Sequence, residues 1–215
     1  MDRRHALRNI GLSMGAVVVT PTIVSLLQSC QNESTPEWIP EFFTQEEGTV
    51  LRKVVDIILP KTDTPSGSEV NTHKFIDVFV NEVMESEQQL MMKTAIGVFT
   101  QKALTDSGKS EIGKLKEEDL EVVVGSTLKI DKTAAEALQK RFGEYAEATA
   151  MGKEATIDNE VVTYIFLDNI RGLSVWGYKT SEVIGKEVLA YDPVPGRQEG
   201  CIDINEATGG KAWAL

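Results

Sequence analysis

The spacing of the apolar residues is the feature that most constrains what this chain can fold into. From residue 44 onward, apolar residues recur three and four positions apart, and strict alternation of apolar and polar residues is scarce. Spacing of three and four places side chains on one face of an α-helix, whereas alternation places them on one face of a strand. The sequence therefore predicts a mainly α fold, a single compact domain of about six to seven helices with an irregular C-terminal strap.

The ends of the predicted helices follow from capping and turn residues. Thr44 and Glu47 have the spacing of a capping box, and the helix that they open ends before Pro60. Residues 60–70 are rich in turn formers and therefore predict a loop. The same apolar spacing predicts further helices that begin at about Thr72 and near Ser86 and that cover residues 116–126, 131–149 and 157–175.

Particular side chains are expected to cap these helices or to enter the core. Asp131 is a good N-cap for the helix over 131–149, and Thr180 is expected to cap a short helix over residues 181–189. The second helix is expected to bury Phe75, Ile76, Phe79, Val80 and Val83. The third carries Leu90, Met91, Met92, Ala95, Ile96 and Phe99 as its apolar residues. The pattern stops at Tyr191, and the residues that follow predict the strap.

The first thirty residues have the organisation of an export signal. Residues 1–8 hold three arginines, residues 10–27 hold no charged residue, and a polar stretch follows Cys30. A basic segment before an apolar segment is typical of a secretory signal peptide. Arg3 and Arg4 resemble the twin-arginine class of signal, which carries proteins that are already folded. The segment that ends at Cys30 resembles a lipobox, in which the cysteine is acylated and becomes the new N-terminus.

The domain organisation follows from this signal. Residues 1–29 are expected to be a twin-arginine-like signal peptide of the lipoprotein type, residues 30–43 a tether, and residues 44–215 the helical domain. The protein is then expected on the periplasmic side of a bacterial membrane, held by a lipid on Cys30. An uncleaved membrane anchor and plain secretion are the alternatives. The apolar run is close to the roughly 20 residues that a membrane span requires, but it contains proline, threonine and serine.

The charge of the chain argues against nucleic acid as a partner. The full sequence has 22 basic and 33 acidic residues. Residues 1–29 hold three of the former and one of the latter, so the remainder carries 19 against 32, a net charge of −13. Such a surface repels phosphate backbones and anionic lipid. A membrane association would therefore depend on the covalent lipid.

Residues that could carry redox or metal chemistry are scarce. The chain has two cysteines and two histidines, and no Cys-x-x-Cys-His motif, glycine-rich phosphate loop or dinucleotide fingerprint occurs. No catalytic, metal-binding or cofactor-binding residue is therefore predicted. Once Cys30 is acylated, Cys201 has no partner within the chain, so it is expected either to be buried or to form a bridge to another chain.

A few acidic and histidine side chains could take part in chemistry, although each also has a simpler structural interpretation. His73 lies one helical turn before Asp77, so the two could make contact, although a surface histidine at a helix start is the simpler interpretation. Asp56 and Asp63 flank the loop around Pro60, and paired carboxylates can do acid–base work. The simpler interpretation makes Asp56 part of a solvated helix face and Asp63 a turn residue.

Three segments resemble one protein family. Residues 56–80, DIILPKTDTPSGSEVNTHKFIDVFV, are similar to a stretch that is typical of the gluconate 2-dehydrogenase subunit 3 family. Residues 177–204, GYKTSEVIGKEVLAYDPVPGRQEGCIDI, resemble a second such stretch, and residues 209–215, GGKAWAL, are similar to the usual ending. These segments are called the first signature, the second signature and the closing segment below.

The resemblance implies a non-catalytic, cofactor-free subunit of a membrane-associated sugar or sugar-acid dehydrogenase. In such a complex, a large flavoprotein of the glucose–methanol–choline oxidoreductase class holds FAD and oxidises the substrate. A cytochrome or another carrier takes the electrons onward. The small subunit supplies the export signal that the flavoprotein lacks and stays bound to it.

The resemblance leaves the role of the second signature open. Tyr191, Pro193, Pro195 and Gly196 either maintain the fold as a rigid strap or contact the partner. A different class of function also stays open, that of a stand-alone periplasmic lipoprotein that binds some other partner or a small ligand.

Overall fold

In a computed structural model of the chain, residues 38–194, 196 and 200–214 are described. The predicted signal peptide with Arg3 and Arg4, the lipidation residue Cys30, most of the tether, and Pro195 lie outside these residues. The α-helices in the described part are α1 (Gln45–Ile58), α2 (Thr72–Glu82), α3 (Ser86–Ser107), α4 (Glu117–Leu128), α5 (Lys132–Ala150), α6 (Asn159–Thr180) and α7 (Ile204–Thr208).

Two short helices and one isolated bridge make up the remaining regular structure of the described residues. A 3₁₀-helix covers Ile112–Lys114, and a π-helix covers Ile184–Val188. Ala190 forms an isolated parallel bridge with Trp213. No strand occurs among the described residues, so the prediction of a mainly α fold is confirmed.

The long helix α6 is the central element of the fold. It packs against each of the five helices α1 to α5. The side chains of Phe166, Leu167 and Ile170 on α6 are buried in the same core as Phe99 of α3. The rings of Phe99 and Phe166 lie 5.5 Å apart. The side chains at the two ends of α6 are therefore positioned by the packing of this helix in the core.

Several helix ends are those that the sequence predicts. The Thr44 hydroxyl accepts a hydrogen bond from the backbone N–H of Glu47, and the Glu47 carboxylate accepts one from the N–H of Thr44, which is the capping box. The carboxylate of Asp131 accepts from the N–H of Ala134 and caps α5. These local patterns form because each satisfies N–H groups that a helix start leaves without a partner.

Other expectations are corrected by the structure. The buried face of α2 contains His73, Ile76, Asp77 and Val80, whereas Val83 is 62% exposed. The helix is thus rotated relative to the predicted stripe, because the polar residues Thr72, His73 and Asp77 face inward. Leu90 and Met91 of α3 are exposed, and the hydroxyl of Thr180 donates to the carbonyl of Trp176 within α6 instead of capping the next helix. The strap also contains a short helix, α7, within a segment that the sequence predicts to be irregular.

The buried carboxylate of Asp77 explains why α2 has this orientation. Asp77 is fully buried, and its Oδ2 accepts a hydrogen bond of 2.6 Å from the backbone N–H of Glu41. Its Oδ1 accepts two bonds of 3.1 Å from the N–H groups of Phe42 and Phe43. Three backbone donors satisfy a charge that would otherwise be costly to bury. The contact fixes the segment before α1 against α2.

No helix in the described part of the chain combines the length and the apolar composition that a membrane span requires.

Replacing Asp77 by Asn tests this anchor. The amide keeps one acceptor oxygen and turns an N–H group toward backbone donors, so the free energy of unfolding should fall by about 2 kcal/mol or more. The control is Asp63→Asn in the exposed loop, which should change the free energy by less than about 0.5 kcal/mol. Urea denaturation of the two variants measures the difference, and equal small losses would contradict the anchor.

Candidate functional site

The loop of the first signature is built against α1. The carboxylate of Asp56 accepts a hydrogen bond of 2.8 Å from the backbone N–H of Ser68. Gly67 lies so close to α1 that an added Cβ would be 2.5 Å from Cγ1 of Val55. Asp56 is therefore not the solvated helix-face residue that the sequence predicts. It holds the loop in place, and only a residue without a side chain fits at Gly67.

The second signature begins in contact with this loop. The hydroxyl of Tyr178 donates a hydrogen bond of 2.7 Å to the backbone carbonyl of Pro65, and the hydroxyl of Thr64 lies 3.1 Å from the same oxygen of Tyr178. A buried or half-buried tyrosine hydroxyl usually finds such a partner. The two signatures, separated by about a hundred residues, thus meet at the C-terminal end of α6.

A close approach of α2 and α6 lies next to this hydrogen bond. An added Cβ at Gly177 would be 2.5 Å from Cδ1 of Phe75, so the ring of Phe75 occupies the space that a side chain on α6 would need. The ring of Trp176 stands almost perpendicular to the rings of Phe75 and Phe79, with centroids 5.2 and 5.4 Å away. Edge-to-face contacts of this kind add a further favourable term to the burial of the rings.

These aromatic residues form part of an apolar surface. Trp176 is 45% exposed and Val78 is 40% exposed. Phe79 and Phe75 are half-buried, and Val83 follows Phe79 by one turn, directly after the last residue of α2. Phe75, Val78, Phe79, Val83 and Trp176 are called the Trp176 patch below.

His73 of α2 is a buried, neutral residue. It is 4% exposed, and burial together with the nearby cations Arg52 and Lys74 lowers its pKa to about 4. At neutral pH the imidazole is therefore uncharged. The interpretation of His73 as a surface residue is wrong, because α2 turns this position into the core.

The closing segment pairs with the second signature. The N–H of Ala190 donates to the carbonyl of Ala212, and the N–H of Ala214 donates to the carbonyl of Ala190, both at 2.9 Å. This pairing brings Trp213 beside the strap, where its side chain is exposed. All three segments that carry the family resemblance are thus linked in one continuous set of contacts.

The site residues predicted in the strap lie at the surface. Tyr191, Pro193 and Gly196 are exposed, as is Cys201. The alternative in which Cys201 is buried is therefore wrong, and its bridge to another chain stays a prediction. Pro195 lies outside the described residues.

The described residues contain no cluster suited to a metal ion. No group of three or more His, Cys, Asp or Glu side chains is placed to share one cation within residues 38–194, 196 and 200–214. Sequence reasoning missed the roles of Asp77 and Trp176. Two features of the sequence could have indicated these roles. Asp77 is a carboxylate inside an apolar helical run, and Trp176 directly precedes the second signature.

The fold and the contacts define an all-α protein whose characteristic residues fix the packing of helices and leave an apolar surface at the junction of α2 and α6. The family model for gluconate 2-dehydrogenase subunit 3 matches residues 45–196, and the chain belongs to that family. Comparisons with curated proteins and with solved structures gave no match. The match covers the first signature and most of the second.

Two glycine replacements on the same helix test the α2–α6 approach. Gly177→Ala should force the ring of Phe75 out of place and lower the free energy of unfolding by about 1–3 kcal/mol. Gly172→Ala is the matched control, because an added Cβ there meets no atom within 4 Å. Alanine is the better helix former, so the control should raise stability by about 0.5–1 kcal/mol. Thermal denaturation measures the stability of both variants. If both replacements raise the stability, or both lower it, the close approach is contradicted.

Proposed function

We propose that the protein is the non-catalytic small subunit of a membrane-associated, FAD-dependent gluconate or sugar dehydrogenase complex. In this complex it assists the export and the membrane association of the flavoprotein subunit. The observation that carries the proposal is the family match over residues 45–196, on a chain whose first thirty residues have the pattern of an export signal. The family description itself names a subunit of a dehydrogenase.

The proposed division of work places the chemistry in the partner. A large flavoprotein of the glucose–methanol–choline class would bind FAD and oxidise the substrate, and a cytochrome would receive the electrons. A flavoprotein that acquires FAD before export must cross the membrane folded. A signal of the twin-arginine class, with Arg3 and Arg4, suits such a folded complex.

Membrane association is proposed to depend on a lipid at Cys30. Each buried CH₂ of an acyl chain contributes about 0.8 kcal/mol to membrane binding. The acidic surface of the mature chain would be repelled by anionic lipid, so the acyl chains would supply most of the attachment. The same surface disfavours nucleic acid as a partner.

The packing of the signature residues supports a binding role over a catalytic one. Asp56, Gly67, Asp77 and Gly177 each make a contact that positions a helix or a loop. These contacts give the chain a fixed shape and leave apolar side chains at its surface. A subunit that must hold a partner through export needs such a preformed surface.

Deleting the gene in its bacterial host tests the proposal. Gluconate oxidation with a dye as electron acceptor should disappear from the membrane fraction, and the flavoprotein should accumulate in the cytoplasm. Reintroducing the wild-type gene should restore the membrane activity and the export of the flavoprotein. The variant with Arg3→Lys and Arg4→Lys should not restore export, since the translocation machinery reads the two guanidinium groups. Cys30→Ala should restore export and release the activity from the membranes.

Two outcomes would contradict the proposal. One is normal export of the flavoprotein in the deletion strain, which would favour a stand-alone lipoprotein with a different partner. The other is oxidation of gluconate by the purified chain alone, together with flavin absorbance, which would place the chemistry in this subunit.

A further inference from the structure

Resting on the proposed function above, we propose that the Trp176 patch is the face that docks the flavoprotein subunit. The acidic residues Glu82, Glu85 and Glu87 form its edge. The partner surface would place apolar side chains against Trp176 and basic side chains, lysine or arginine, against this edge.

The first argument is that apolar side chains of α2 and of the residue that follows it are exposed. Ile76 and Val80 of α2 point into the core and are fully buried. Val78, on the opposite side of α2, is 40% exposed, and Val83, directly after the last residue of α2, is 62% exposed. Exposed apolar residues in the neighbourhood of a half-exposed tryptophan are typical of a surface that is covered in an assembled complex.

The second argument is that the centre of the patch is an aromatic residue held in one orientation. Trp176 contacts Phe75 and Phe79 edge to face, and Phe75 is itself confined by Gly177. Tryptophan is among the residues that contribute most to protein interfaces. A ring that is already held in place loses little conformational freedom on binding.

The third argument is the charge at the edge of the patch. Glu82, Glu85 and Glu87 are exposed and flank Val83 where α2 ends and α3 begins. None of the ion pairs found among the described residues involves these three carboxylates. Lys74, at the other end of α2, is the exposed cation of that helix. Acidic groups without a cation favour a basic partner and guide its approach.

The charges of Glu82, Glu85 and Glu87 also argue against a second copy of the chain and against a lipid surface as the occupant of the patch. A second copy of the chain would bring its own acidic edge toward this one, and like charges in an interface cost free energy. An anionic lipid surface would be repelled for the same reason. A partner protein with an apolar centre and basic residues around it has neither disadvantage.

Paired valine variants in the tagged full chain test the docking face. Val83→Asp and Val78→Asp place a charge in the patch. Val122→Asp, on the exposed side of α4, makes the same change at a position that is 64% exposed, against 62% for Val83. After solubilisation of host membranes, the wild type and Val122→Asp should retain the flavoprotein, measured by flavin absorbance and gluconate oxidation. The two patch variants should retain about tenfold less or lower still.

A charge reversal at the acidic edge provides a second test, which stays valid if an aspartate in the patch disturbs folding. Glu87→Lys changes an exposed residue in the first turn of α3, and Glu118→Lys makes the same change in the first turn of α4. Both lose a favourable contact with a helix N-terminus, so their stabilities should change alike. Only Glu87→Lys should weaken retention of the flavoprotein, and it should also reduce the dependence of retention on salt.

The outcomes separate this inference from the proposed function. If the wild-type chain retains no flavoprotein, the proposed function is wrong and the docking face falls with it. If the wild type retains it and Val83→Asp, Val78→Asp and Glu87→Lys retain as much as their controls, the proposed function stands and the docking face lies elsewhere. A dimer of the isolated chain that Val83→Asp dissociates would assign the face to a second copy and overturn the inference.

Discussion

The contact between Phe75 of α2 and Gly177 of α6 is the constraint on which the rest of the described structure depends. It lets two helices approach at a point where any larger side chain would collide with a ring. Because α6 packs against α1 to α5, fixing α2 on it also fixes the first-signature loop, which Tyr178 reaches with its hydroxyl. On the inward face of α2, the Asp77 carboxylate holds the segment that leads into α1.

These contacts assign a physical role to residues that would otherwise be candidates for chemistry. Asp56 and Asp77 accept backbone hydrogen bonds, and His73 is buried and neutral with a pKa of about 4. The exposed surface around Trp176 is apolar, and acidic residues lie beside it. A chain of the gluconate 2-dehydrogenase subunit 3 family with this organisation is suited to hold a partner, which supports the proposed function.

The sequence predicts the local structure well, because caps and periodicity depend on residues a few positions apart. The capping box at Thr44, the cap at Asp131 and the succession of helices need no information from elsewhere in the chain. The rotation of α2 could not be predicted in the same way. It depends on Asp77 binding backbone groups 34 to 36 residues away, and the junction depends on Tyr178 reaching a carbonyl 113 residues away.

The most direct measurement is hydroxyl-radical footprinting of the native complex and of the separated chain. Trp176 is 45% exposed in the chain alone, and Met151, at the end of α5, is 59% exposed and serves as the reference. If this chain docks the flavoprotein through the junction of α2 and α6, oxidation of Trp176 should fall strongly in the complex while that of Met151 stays the same. Equal oxidation of Trp176 in the complex and in the separated chain would contradict the account.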